Sequence, residues 1–187
     1  KRICVLDQAV VEKSSQAQID ISNRKIWKMS LGDTQGDDSY IYEHCIDQNE
    51  LRLGYGSNLD FSGADDSEQI AKIYQREEIE AKTQDYRVTS VNIFKNRINN
   101  GDLIVVSNGN KKFRAIGEVT GDYEFKPDDS LMNYSQCRSV IWHKAWDRSL
   151  PNDQLLYKTF SQMTLYQLKP KVLRADKLAE LLGTADG

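Results

Sequence analysis

Asp102-Leu-Ile-Val-Val-Ser-Asn-Gly109, answered by Phe113-Arg-Ala-Ile-Gly-Glu-Val119, is the stretch on which the fold turns. Its apolar run is too short for a helix and too continuous for a strand with one wet face, so it reads as a buried strand. Asn108-Gly109 supplies the positive backbone angles a tight hairpin needs, and the chain returns along Phe113 to Val119. Upstream, Trp27, Met29 and Leu31 alternate up to a stop at Gly32-Asp33, and Leu51, Leu53 and Tyr55 alternate into Gly54-Tyr55-Gly56. Downstream, Ser139 to His143 and Met163 to Leu168 add further strands.

Helices fill the middle and the end. Asp37 to Asp47 fits a short helix, and residues 57–67 are a loop of Ser, Asn, Asp and Gly. Asp66 with Gln69 forms a capping box ahead of Ile70, Ile73 and Tyr74 on one helical face. Val88, Val91, Phe94 and Ile98 make the next stripe, stopped by Asn99-Asn100-Gly101, and Arg174 to Leu182 forms a terminal helix. One strand, a helical layer and then a run of strands is the order of an α+β domain whose sheet closes toward a small barrel. Residues 1–23, with a Ser/Gln-rich centre, are read as an entry segment, and 24–187 as a single domain.

Composition narrows the function. The 187 residues are 39% hydrophobic and 28% charged, as in an ordinary globular domain. Neither a membrane-length apolar run nor a secretion signal occurs, so the chain reads as cytoplasmic, with no membrane association. The three cysteines, Cys4, Cys45 and Cys137, lack metal-ligand spacing, and the two histidines, His44 and His143, lie far apart, so neither a metal nor a cofactor is expected. His44 reads as a surface histidine beside a core cysteine. The net charge of −3 is uneven: residues 1–92 carry −6 and residues 93–187 carry +3, which directs any phosphate-facing surface to the second half. No Gly-x-x-x-x-Gly-Lys-Ser/Thr motif is present, so no nucleotide-driven motor is encoded in these residues.

Lys25-Ile-Trp-Lys-Met-Ser-Leu-Gly32, Leu53-Gly-Tyr-Gly56, Asn100-Gly-Asp-Leu-Ile-Val-Val106 and Ala115-Ile-Gly-Glu-Val-Thr-Gly-Asp-Tyr-Glu124 occur in that order. Together they resemble the EVE/YTH-like branch of the PUA superfamily, particularly the N-terminal specificity domains of McrBC-type, modification-dependent restriction systems, over about Arg24 to Leu168. The resemblance implies a twisted β pseudo-barrel flanked by helices. It also implies a non-enzymatic module that flips a methylated or hydroxymethylated base out of double-stranded DNA into an aromatic cage. An AAA+ motor and a nuclease would then lie on other segments or subunits.

On that basis Trp27, Tyr55 and Trp142 are candidate cage walls, ahead of Trp146 and Tyr123. Ser30, Gly32 and Asp60 are candidates for the floor and edge contacts. Lys111, Lys112 and Arg114 at the hairpin, with Arg138, Lys144 and Arg148 around the tryptophan pair, are candidate phosphate contacts. Each has a plainer reading as core, turn or solvated surface, and Asp102 and Asp122 read as turn caps. Three other functions fit the residues: an RNA reader with a similar pocket, a metal-dependent nuclease built on Asp102, Glu124 and Lys126, and a protein-binding or scaffold domain whose aromatics are simply core.

Overall fold

A computed structural model describes residues 19–183, so most of the entry segment and the last four residues lie outside the described part. The strands are β1 (Ile26–Met29), β2 (Glu50–Leu53), β3 (Leu103–Asn108), β4 (Lys112–Val119), β5 (Glu124–Phe125), β6 (Gln136–Pro151) and β7 (Leu165–Gln167). The helices are α1 (Ile41–Gln48), α2 (Ser67–Arg76), α3 (Tyr86–Asn92) and α4 (Ala175–Gly183). The chain is α+β, as expected: a seven-stranded sheet ordered β2-β6-β4-β3-β1-β7, with β5 also paired to β6, curls into a half-barrel beside the helices.

The hairpin of β3 and β4 anchors the sheet. Its loop is Gly109 to Lys111, one residue longer than the Asn108-Gly109 pair alone would make, because Asn108 pairs with Lys112. β1 runs parallel to β3, from Ile26 beside Leu103 to Met29 beside Val106. A parallel return needs a long crossover, and here α1, β2, α2 and α3 provide it. Both faces of this central pair are covered. Trp27, Met29, Ile104 and Val106 join one apolar cluster with the crossover helices, whereas Ile26, Leu103 and Val105 join a second with Leu155, Leu156, Leu173 and Leu178. Two-sided burial is why Leu103 to Val106 is an unbroken apolar run.

Local chemistry sets the helix ends. The Asp66 carboxylate accepts from the Gln69 backbone N–H at 2.8 Å, while the Gln69 side chain reaches back to the N–H of Asp65 instead of that of Asp66. Val88, Val91, Phe94 and Ile98 are all buried as one stripe, although the last turn, Ile93–Arg97, widens to π geometry. α1 begins at Ile41, later than Asp37, because the Asp38 carboxylate bonds the N–H of Asp33 and the hydroxyl of Tyr134.

β6 is the largest departure from expectation. The stretch read as Ser139 to His143 extends over Gln136–Pro151. Its first residues pair with β2 and β5 and the remainder with β4, and register shifts along β4 let the strand bend around the sheet. Charged and aromatic residues on its half-exposed face mask the strand pattern in sequence.

A buried ionic cluster lies where β2 meets β6. Glu50 is 5% exposed and accepts from Arg52 Nε at 2.7 Å and Lys126 Nζ at 3.0 Å, with His44 Nε2 2.7 Å away. Those contacts hold its carboxyl at about pH 2 against the opposing effect of burial. Cys45 and Cys137 are buried free thiols. Among the described residues no helix is long and apolar enough to cross a membrane.

Candidate functional site

The carboxyl ends of the parallel pair β1 and β3 open into a cavity of about 560 Å³, within the range of small-ligand sites. Ser30 follows β1 and Ser107 lies near the end of β3, which brings their hydroxyl oxygens to 3.2 Å. Two residues before Ser30, and so on the same side of the strand, Lys28 lines the cavity while only 2% exposed. Its ammonium donates to Ser30 Oγ at 2.9 Å and to the Met163 carbonyl at 2.5 Å, and it sits 5.7 Å from the centre of the Tyr166 ring. Burial pushes its pKa down to about 8.

The walls are two tyrosines. Tyr55 follows β2, and its hydroxyl is 2.8 Å from Oγ1 of Thr164, which also lines the cavity. Tyr134 comes from the loop before β6, lies against Gly54, and donates its hydroxyl to Asp38. A Cβ on Gly54 would stand 2.8 Å from that ring, so the close approach requires glycine. Burial and the Asp38 carboxylate raise the Tyr134 pKa above its ordinary value. Arg52 fixes the Tyr134 loop by donating to the carbonyls of Lys126 at 2.6 Å and Tyr134 at 3.1 Å. Gly32, also in the lining, takes φ +70°, where a side chain would collide with the Asp38 carbonyl. The cavity thus offers aromatic faces, hydroxyls, a buried cation and the Asp38 carboxylate, a set able to grip a flat heteroaromatic ring and hydrogen-bond its edge.

Of the expected site residues, Ser30, Gly32 and Tyr55 come together here. Trp27 does not. It is 1% exposed in the core, its indole N–H donating to Asp102 Oδ2 at 2.9 Å, because successive residues of β1 face opposite ways and it is Lys28 that turns toward the cavity. Trp142 packs on the same core and donates to the Cys45 carbonyl, and Asp60 closes a turn onto Ser62. Trp146 meets Phe113 edge to face, and the Tyr123 hydroxyl bonds Gln136.

The cations divide in the same way. Lys111, Lys112 and Arg148 are exposed, the first two beside Gly109 and Asn110 on the cavity rim. Lys144 is half-buried opposite Ile116. Arg138 and Arg114 are structural. Arg138 is 2% exposed and donates to the carbonyls of Gly121, Phe94 and Ile98, while Arg114 is 7% exposed, stacks 3.7 Å from the Tyr42 ring centre and donates to the Leu31 carbonyl.

The nuclease set is not assembled. Asp102 accepts from Trp27 and from the N–H of Asn99, Lys126 bonds Glu50, and Glu124 is exposed on β5. Among the described residues no group of three or more His, Cys, Asp or Glu side chains could hold a metal.

A family model described as Domain of unknown function (DUF8426) matches residues 27–169. The chain belongs to the DUF8426 family. No curated protein matches it in sequence. Among solved structures, this DUF8426 chain is similar to the YTH domain of Zygosaccharomyces rouxii MRB1 in complex with N6-methyladenosine RNA. They share 10% identity over 89% of this chain and 88% of that one, with a TM-score of 0.48. It is also similar to the Pho92 YTH domain in complex with m6A, at 12% identity over 88% and 89% of the two chains, with a TM-score of 0.47. With so few residues in common, the site of the DUF8426 chain stands on its own geometry.

Sequence reasoning missed Lys28, Asp38, Tyr134 and Thr164. Lys28 carried a signal, since a lysine inside an otherwise apolar central strand needs a reason to be there. Tyr134 sits in a polar loop and carried none.

Proposed function

We propose that the cavity receives one modified base turned out of a DNA strand, Tyr55 and Tyr134 stacking on its faces while Lys28, Ser30 and Asp38 meet its edge. The observation that carries this reading is the pair of tyrosines bordering a cavity with a buried cation in its lining. A base leaving its stack loses about 1–3 kcal/mol, which aromatic walls can return. The added methyl or hydroxymethyl group is then sensed by whether it fits. The module binds and does not catalyse, and it serves as the specificity element of a restriction system whose motor and nuclease lie elsewhere. The ordered motifs from Lys25 to Glu124 support that assignment.

The test is a panel of duplexes identical except for one base, unmodified, methylated or hydroxymethylated, with RNA strands alongside. One modified duplex should bind at least tenfold better than its plain counterpart, and Tyr55→Ala and Tyr134→Ala should erase that margin. Equal affinity across the panel removes the reading, and a preference for modified RNA moves it to an RNA reader.

Lys111 and Lys112 flank the rim, where they are suited to phosphates. Changing both to alanine should weaken modified and plain DNA about equally and flatten the dependence of affinity on salt, since phosphate contacts carry no base information. A loss confined to modified DNA, measured by salt titration, contradicts that role.

A further inference from the structure

Tyr55 lines more than one cavity. A second, of about 520 Å³, shares Gly54 and Tyr55 with the first and is bounded by Tyr74, Glu77, Ile79 and Arg87. We infer that this second cavity is a subsite for the nucleotide adjacent to the flipped base, a deepening that rests on the base-pocket reading above.

Three observations carry it. First, the Tyr74 residue is 2% exposed, yet its hydroxyl has no hydrogen-bond partner among the described residues. Buried hydroxyls are rarely left so, and this one belongs to a residue lining the cavity. Second, Tyr86 at the start of α3 is 63% exposed, and its ring meets Tyr55 edge to face, with centroids 5.5 Å apart at 75°. A large aromatic left in solvent against a residue of the lining is a stacking surface without its ring. Third, Arg87 lines the cavity with its guanidinium 5.5 Å over the Tyr74 ring, while its Nη2 donates to the Glu80 carbonyl at 2.8 Å and lies 3.8 Å from the Asp85 carboxylate. Glu77 on the same rim opposes a bare anion, so the charges suit a base edge, with donor and acceptor both needed, better than free phosphate. Because the two cavities share Gly54 and Tyr55 in their linings, a continuous strand can place neighbouring bases in the two. Flanking-base preference then resides in Tyr74, Glu77 and Arg87.

The experiment compares affinities for 5-methyl-2′-deoxycytidine and N6-methyladenosine, offered as free nucleosides and as the central residue of DNA and RNA trinucleotides. Tyr86→Ala should weaken the bound trinucleotide about 5- to 150-fold, the factor equivalent to about 1–3 kcal/mol for one stacked base. It should leave nucleoside binding unchanged, since Tyr55 keeps its bond to Thr164. Tyr74→Phe should also weaken the trinucleotide, without lowering the melting temperature. The subsite is overturned if Tyr86→Ala alters neither ligand, or weakens nucleoside and trinucleotide by the same factor. Should no probe bind the unaltered protein, the base-pocket reading itself has failed, a result distinct from a subsite failure against intact nucleoside binding.

Discussion

Trp27→Ala should unfold the protein more readily and weaken its binding to every nucleic acid alike, modified or not. Truncating a buried tryptophan costs about 3–5 kcal/mol through lost burial and the cavity left behind, and Trp27 sits at 1% exposure among the crossover helices. Its indole also donates to Asp102 Oδ2 at 2.9 Å. That carboxylate holds the N–H groups of Asn99 and Lys25 as well, tying the turn before β3 to the start of β1. Losing the indole therefore loosens the parallel pair whose ends carry Ser30 and Ser107. A drop of this size should lower the melting temperature by roughly 6–20 °C in a protein of this length. Trp27→Phe should recover most of the packing and none of the hydrogen bond. If Trp27→Ala melts with the unaltered protein and loses only its discrimination among bases, Trp27 is a cage wall after all.

What the sequence made legible follows from what periodicity can encode. The β3–β4 hairpin, the capped α2 and the stripe from Val88 to Ile98 were readable because apolar spacing and turn chemistry act locally. The length of β6 was not, since a strand bent by register shifts and half exposed loses its alternation. In the candidate cavity, Ser30, Gly32 and Tyr55 were legible as polar or aromatic residues at strand ends that the fold brings together. The choice between Trp27 and Lys28 turned on a single step of strand phase, which reverses the side each residue faces. Sequence alone favours the tryptophan as the stacking group, whereas the core claims it. Arg114 and Arg138 misled for a related reason: a cation in a list of cations looks solvated, and only tertiary structure reveals that carbonyls of Leu31, Phe94 and Ile98 enclose it. Tyr134 was out of reach because Arg52 and Asp38, distant in sequence, are what position it.

Lys28→Met separates site from scaffold most sharply, for it should abolish base discrimination while leaving the fold about as stable as before. The lysine is nearly inaccessible and sits at a pKa of about 8, its charged form disfavoured by burial alone. Methionine, one atom shorter, keeps most of the length and removes that cost. Against this gain, the Met163 carbonyl and Ser30 hydroxyl lose a donor, a penalty of about 1–3 kcal/mol if neither finds another. The two effects oppose each other at similar size. Acidity gives an independent check. In the unfolded chain a lysine titrates near its ordinary 10.5, so between pH 8 and about 10 the unfolded state binds more protons than the folded one. The contribution of Lys28 to stability should therefore rise with pH across that window, and the rise should be missing in Lys28→Met. Binding should run the other way. A base edge that accepts from the ammonium favours its charged form, so affinity should be full below pH 8 and decline above it, again only when Lys28 is present. A lysine that merely fills space would show the stability trend without the binding trend. Parallel pH titrations of melting temperature and affinity, on the unaltered protein and on Lys28→Met, decide between them.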